Sequence, residues 1–239
     1  MKVLVLGHSG MLGNAVSKYL TSEGVEVLKI TSRWPSSQFM DDVKSCQAQY
    51  VVNCIGAIPQ RTDEFSINRD LPIWLEENAG SLIVHPGTDC EMDDDEYGVS
   101  KRAAAEFIAH HGEKTKIIKT SIIGHELSSM NSLLDWFLNS TGEVFGYTNA
   151  YWNGNTTLAW AQECYRLMMG WNEYATCTII TTECLSKFEL LNIMKEVYEK
   201  EIEVHPNPKV TVNKCLVGKS MPPIRQQLVE LKRFYEEKK

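Results

Sequence analysis

Tyr97 and Lys101, in the run Tyr97-Gly-Val-Ser-Lys101, are the pair in this chain best suited to moving a proton. On a helix, residues four apart share a face, so the phenol and the ammonium become neighbours. A free tyrosine titrates near pH ~10 and holds its proton at neutral pH. A nearby ammonium stabilises the phenolate and lowers that value, which makes the phenol a usable general acid or base. Tyr-x-x-x-Lys recurs by chance on solvated helices, so the placement of this pair matters. It opens the helix that follows the fourth strand, so both side chains can face the carboxyl edge where open α/β sheets bind ligands.

A second group of residues prepares a surface for phosphate. Gly7-x-x-Gly10-x-x-Gly13 follows the apolar run Val3 to Leu6 and precedes a helical pattern with Leu12, Val16 and Leu20. One glycine permits a tight turn, another lets backbone amides approach a pyrophosphate, and a third lets helix and strand pack closely. Gly7, Ser9, Gly10, Met11, Leu12 and Gly13 then surround a helix N-terminus whose dipole favours an anion. Asn53, Cys54, Gly56 and Ala57, at the end of a later strand, are expected along the adenine ribose and pyrophosphate, with Asp41 or Asp42 near the adenine. The second strand ends in Lys29-Ile-Thr-Ser-Arg33 and lacks the acid that suits a free ribose 2′-hydroxyl. Ser32 and Arg33 suit a 2′-phosphate instead, Arg33 through its planar fork. NADPH is therefore expected over NADH, the alternative being that Arg33 is simply a surface side chain.

The elements that must position these groups alternate. Strands are expected over 3–6, 25–30, 49–55, 81–85 and 116–121, with helices over 12–20, 71–78 and 97–110. That order predicts βαβ units and a Rossmann-like, doubly wound parallel sheet. Beyond about residue 125 the pattern loosens: helices over 133–138, 158–169 and 187–200, a strand over 176–181, an irregular proline-containing stretch over 202–208, and a last helix from Pro223 through Tyr235. The expected division is a dinucleotide-binding domain over 1–145 and a smaller C-terminal α/β substrate lobe over 146–239, with room for elements to return to the first.

A net charge of −7 excludes a general nucleic-acid or anionic-membrane binder. No apolar run reaches the length of a membrane span, and the N-terminus lacks a signal-peptide layout, so a cytoplasmic protein is expected. Seven cysteines, an odd number without C-x-x-C, suggest neither a disulfide framework nor a zinc site. The histidines lack metal spacing, and no metal is expected. A homodimer is compatible with the sequence.

Together the glycine pattern, Asn53-Cys-Ile-Gly56 and Tyr97-x-x-x-Lys101 resemble the extended short-chain dehydrogenases/reductases. Lys119-Thr-Ser-Ile-Ile-Gly-His-Glu126 resembles that family's Arg-x-Ser-x-x-Gly element. Gly146-Tyr-Thr-Asn149 and Trp152-Asn-Gly-Asn-Thr-Thr157 are similar to its nucleotide-sugar branch, nearest to the dTDP-4-dehydrorhamnose reductases. The resemblance implies a third catalytic group, Thr88, whose hydroxyl would hold the substrate carbonyl while Tyr97 delivers a proton and Lys101 holds the nicotinamide ribose. A plain turn hydroxyl is the alternative for Thr88. The implied substrate is a nucleotide-diphosphate sugar. Asn149, Trp152, Asn153 and Thr156 offer it amides and an aromatic face, core packing being the competing role for the tryptophan. Arg69 is a further candidate for a diphosphate, or a surface ion pair. The chain departs from its relatives between Thr88 and Tyr97, where a longer loop is usual and here an acidic run, Glu91 to Glu96, intervenes. Such a run is either a solvated charge cluster before a helix or a repulsive wall beside an anionic ligand. Three functions stay open: a 4-keto-6-deoxy sugar reductase, an epimerase or dehydratase with Asp89 as the extra carboxylate, and a nucleotide-binding regulatory module without turnover.

Overall fold

A computed structural model describes residues 1–128 and 130–236. Val3 to Leu6 are fully buried, as befits a strand covered on both faces, and they belong to β1 (Lys2–Leu6). There follow α1 (Met11–Ser22), β2 (Glu26–Leu28), α2 (Ser37–Ser45), β3 (Tyr50–Asn53), α3 (Ile67–Asn78), β4 (Leu82–Gly87), α4 (Glu96–His111) and β5 (Thr115–Lys119). The rest comprises β6 (Ile122–Ile123), α5 (Leu133–Asn139), β7 (Glu143–Trp152), β8 (Asn155–Thr156), α6 (Thr157–Met169), β9 (Cys177–Thr181), β10 (Leu185–Ser186), α7 (Lys187–Val197), β11 (Glu203–Asn213), β12 (Lys219–Ser220) and α8 (Ile224–Glu236).

The main sheet has the order β12-β9-β5-β4-β3-β1-β2. Its pairs from β2 through β5 are parallel, so the expected doubly wound sheet is present. Strand order reverses at β1, which lies between β3 and β2. A reversal of this kind opens a crevice at the carboxyl ends of the strands, where ligands bind. The turn after β1 and the loop after β3 border it. Leu4, Leu6, Phe39, Val51, Leu71, Leu75 and Ile83 form one buried cluster that ties β1, β3 and β4 to α2 and α3. The helix α2 was not anticipated. Ser36 caps it by accepting the Phe39 N–H at 3.2 Å, and only Phe39 and Val43 of its nine residues are buried, too few to mark a period.

Contacts divide the chain into two compact units, Met1–Lys119 with Ala161–Thr178, and Thr120–Trp160 with Ile179–Lys239. Residues 161–178 thus belong to the first unit, a return for which the expected division left room. The second unit contains a sheet β10-β7-β11, in which β11 pairs parallel to β7 from Glu203 to Asn213, with a register shift between Asn207 and Thr211. The irregular stretch expected over 202–208 is thus strand. Pro206 and Pro208 lack an N–H, but an edge strand tolerates that loss.

A disulfide joins Cys184 and Cys215, 31 positions apart, where none was expected. Sheet pairing explains the encounter, because Ser186 and Asn213 lie on either side of Tyr151 and each is two residues from one of the cysteines. Cys46, Cys54, Cys90, Cys164 and Cys177 take no part in a disulfide. Among the described residues no helix is long and apolar enough to cross a membrane.

Candidate active site

The turn after β1 is built for close approach. Gly7 has φ +70°, and a Cβ there would meet the Cys54 carbonyl oxygen at 2.8 Å. A Cβ on Gly13 would lie 2.1 Å from the Gly7 oxygen, so α1 can cross the turn only where a side chain is missing. Gly10 is the N-cap of α1, with no side chain capping the helix and no acid in its first turn. The helix end therefore presents backbone amides and positive dipole with no protein carboxylate competing for them. Residues Gly7 to Gly13 fit a pyrophosphate on these grounds.

Asn53 ends β3 fully buried. Its Oδ1 accepts the Ile55 N–H at 3.2 Å, which turns its amide nitrogen toward His85 Nδ1, 3.3 Å away. It shapes the loop rather than reaching out of it. Burial pushes the Cys54 thiol pKa up. Gly56 is exposed and Ala57 half-buried. A residue missed in the sequence holds them: Asn68 accepts the Ala57 N–H at 2.8 Å and donates to the Ala57 carbonyl at 3.0 Å and to Ser100 Oγ at 3.2 Å. This clamp links the loop after β3 to α3 and α4. An asparagine just ahead of a predicted helix, where caps and loop clamps concentrate, was the available signal. Arg69 pairs with its neighbour Asp70 at 2.7 Å. Ser32 donates to Asp42 at 2.5 Å, while Arg33 is exposed.

Tyr97 and Lys101 both lie on α4, as expected, and Thr88 follows β4 directly. Thr88 Oγ1 donates to Asp89 Oδ1 at 3.0 Å and accepts the Cys90 N–H at 3.3 Å. The Thr88 side chain is near enough to Tyr97 to favour its phenolate, so the two predicted catalytic hydroxyls lie near each other. Lys101 is buried and donates to the Pro86 carbonyl at 3.1 Å. The expectation that the ammonium would lower the phenol's pKa is not met. Burial pushes the Tyr97 pKa well above the usual tyrosine value, Cys90, Asp89 and Glu91 push it further, and only the Thr88 side chain opposes them. Lys101 itself is lowered by burial, with Glu91 and Cys90 acting against that loss.

The acidic run divides: Asp94, Asp95 and Glu96 are exposed at the start of α4, as a solvated cluster before a helix would be, while Glu91 is buried. Glu91 is 5 % exposed and pairs with Lys119 at 2.5 Å. Asp95 caps α4 by accepting the Gly98 N–H at 2.6 Å. Arg102 donates to the Glu91 and Asp93 carbonyls, each at 3.1 Å, and reaches Asp94 at 3.4 Å. Gly98 completes the arrangement, since a Cβ there would sit 2.5 Å from the Cys90 oxygen. The short connection thus folds onto cations of its own unit.

In the second unit, three of the four predicted substrate contacts are structural. Trp152 is 2 % exposed, with Lys187 over its ring at 5.2 Å. Asn153 exchanges two hydrogen bonds with Leu216, at 2.8 and 2.9 Å. Thr156 donates its N–H to Gln227 at 2.9 Å and accepts the Ala159 N–H at 3.2 Å. Asn149 is half-buried, with a long 3.4 Å contact to the Pro208 carbonyl.

Residues 3–70 match the model of the NAD dependent epimerase/dehydratase family. No curated protein matches the sequence. Among solved structures, the dTDP-4-dehydrorhamnose reductase of Clostridium acetobutylicum is 18 % identical with a TM-score of 0.77, covering 99 % of this chain and 100 % of that one. The dTDP-4-dehydrorhamnose reductase of Bacillus anthracis, solved in complex with NADP, is 16 % identical with a TM-score of 0.77 and 99 % of both chains covered. The UDP-glucose 4-epimerase of Thermotoga maritima, solved with UDP-glucose, is 15 % identical with a TM-score of 0.74 and 99 % of both chains covered. Reductase and epimerase share the architecture equally, so the fold does not separate them. The chain shares the fold of these reductases and of this epimerase over 99 % of its length, and its residues 3–70 match the NAD dependent epimerase/dehydratase family.

Proposed function

We propose that the chain is an NADPH-dependent oxidoreductase that reduces the ketone of a 4-keto-6-deoxy nucleotide sugar, on the pattern of dTDP-4-dehydrorhamnose reductase. The observation that carries this reading is the placement of Thr88 at the end of β4 beside Tyr97 and Lys101 of α4, where burial favours the protonated phenol. Ketone reduction consumes a proton at the carbonyl oxygen, so it needs an acid there. Oxidation of an alcohol, the first half of an epimerase cycle, needs a base. A phenol kept protonated holds the proton for the first task and supplies no phenolate for the second, although its raised pKa weakens it as an acid. When bound, the cofactor supplies the hydride for the carbonyl carbon. Tyr97 gives its proton to the oxygen, the Thr88 hydroxyl turns from Asp89 to donate a hydrogen bond to the same oxygen, and the Lys101 ammonium favours the negative charge that develops there. The fit of Gly7 to Gly13 to a pyrophosphate supports the dinucleotide, as do NADP-bound structures of the same fold.

At the 2′-phosphate Arg33 is the residue we assign, because the Ser32 hydroxyl is already engaged by Asp42. Arg33→Ala should raise the KM for NADPH roughly tenfold, the worth of one exposed charged contact, and leave the KM for NADH unchanged. Equal effects on both would remove Arg33 from cofactor selection. Substrate recognition we assign to the second unit, with Asn149 as the remaining candidate contact, and the setting to the cytoplasm.

The test is direct. With dTDP-4-dehydrorhamnose, the reading expects stoichiometric loss of NADPH absorbance and one alcohol formed per NADPH. Product without net oxidation would make the chain an epimerase. Binding of NADPH without turnover on any keto sugar would make it a binding module.

A further inference from the structure

We propose that Glu91 is the positioning residue of this site, bridging the Thr88 amide and the Lys119 ammonium so that the Thr88 hydroxyl is held beside Tyr97. The inference deepens the reductase reading and rests on it for its kinetic arm alone. One carboxylate oxygen of Glu91 accepts the Thr88 N–H at 2.8 Å, and the other meets Lys119 Nζ at 2.5 Å. Thr88 ends the β4 arm and Lys119 ends β5, the neighbouring strand, where Gly87 pairs with Lys119. Glu91 therefore bolts two strand ends together at the level of the catalytic hydroxyl. The fit is close, since a Cβ on Gly87 would meet Glu91 Oε1 at 2.9 Å. Arg102 holds the Glu91 carbonyl from α4 at 3.1 Å, so strand, turn and catalytic helix converge on one residue.

A carboxylate that is 5 % exposed is costly unless it is paired and hydrogen-bonded, and this one is both. Its charge also bears on both catalytic groups: it favours the charged form of Lys101 and the protonated form of Tyr97.

Two variants of opposite charge effect test this. Glu91→Gln keeps an oxygen for the Thr88 N–H but loses the charge. Lys119→Gln keeps Glu91 and removes its counter-ion. In the unliganded protein, titration of Lys101 Nζ followed by NMR should move to lower pH in Glu91→Gln and to higher pH in Lys119→Gln. The reversal of sign reports the charge of Glu91 at Lys101, and the turnover arm reports its hold on Thr88. In turnover, Glu91→Gln should lower kcat roughly tenfold with the KM for NADPH unchanged. If the Lys101 titration stays put in both variants, or moves the same way in both, the proposal is overturned. If Glu91→Gln does not fold, Lys119→Gln decides alone, and an unmoved Lys101 titration in it overturns the proposal. A wild-type protein without turnover would refute the reductase reading, while the Lys101 titration would still decide the role of Glu91.

Discussion

Tyr97→Phe should lower turnover of the keto sugar by about 10²–10⁴-fold, the usual worth of a positioned general acid, while NADPH binds as tightly as before. The substitution removes one oxygen and leaves the ring, so the edge-to-face contact with Phe65 at 5.8 Å persists and the helix is undisturbed. The companion measurement is the pH dependence of kcat in the wild-type protein. Burial and the neighbouring acids raise the phenol's pKa, so the protonated, active form persists above the ordinary tyrosine range of ~10. The rate should therefore show no loss of the proton donor between neutral pH and that range. An alkaline limb near pH 8, or a Phe variant with undiminished turnover, would assign the proton to another group.

Gly13→Ala should abolish both NADPH binding and normal stability, whereas Gly10→Ala should affect binding alone. At Gly13 the new methyl would be 2.1 Å from the Gly7 backbone oxygen, and a backbone oxygen inside a turn cannot step aside as a side chain does. Overpacking of a well-filled site typically costs ~1–3 kcal/mol and occasionally more, and a contact this short places Gly13 at or beyond the upper end. At Gly10 the nearest protein atom to the new methyl is 3.4 Å away, so the fold accommodates it. The same methyl stands at the helix N-terminus where a phosphate would approach, and affinity falls without a change in melting temperature. Thermal denaturation and cofactor titration on the two variants separate these outcomes. Equal stability for both would mean that α1 can slide away from the turn.

Features encoded within a few residues were legible before the fold was known. The i, i+4 pair on α4, the glycine spacing after β1 and the alternation that yields a parallel sheet are all local. Features that depend on a distant partner were not. Glu91 reads as one more charge in an acidic run until Lys119 is placed across from it. Trp152, Asn153 and Thr156 read as ligand contacts because their chemistry suits a sugar, but Leu216 and Gln227, far along the chain, already consume the hydrogen bonds of the two polar residues. Asn68 looks like an ordinary helix-opening residue until Ala57 comes to lie beside it. The β11 strand was hidden by its prolines, whose tolerance depends on the strand being at an edge. The sign of the Tyr97 shift was missed for a related reason: the i+4 ammonium was visible, but the burial of the ring and the acids packed around it belong to the tertiary structure.

The bond between Cys184 and Cys215 has an environmental consequence. It closes a ring of chain that includes α7 and β11, and a cross-link over a span of that size removes roughly 3–4 kcal/mol of unfolded-state freedom on the chain-entropy account. Cys184 is exposed, so glutathione or thioredoxin has access to the sulfur. In a cell interior rich in such reductants the bond opens, and the second unit then endures heat less well than the same unit purified in air. The thermal tolerance of this protein is set in part by the redox company it keeps.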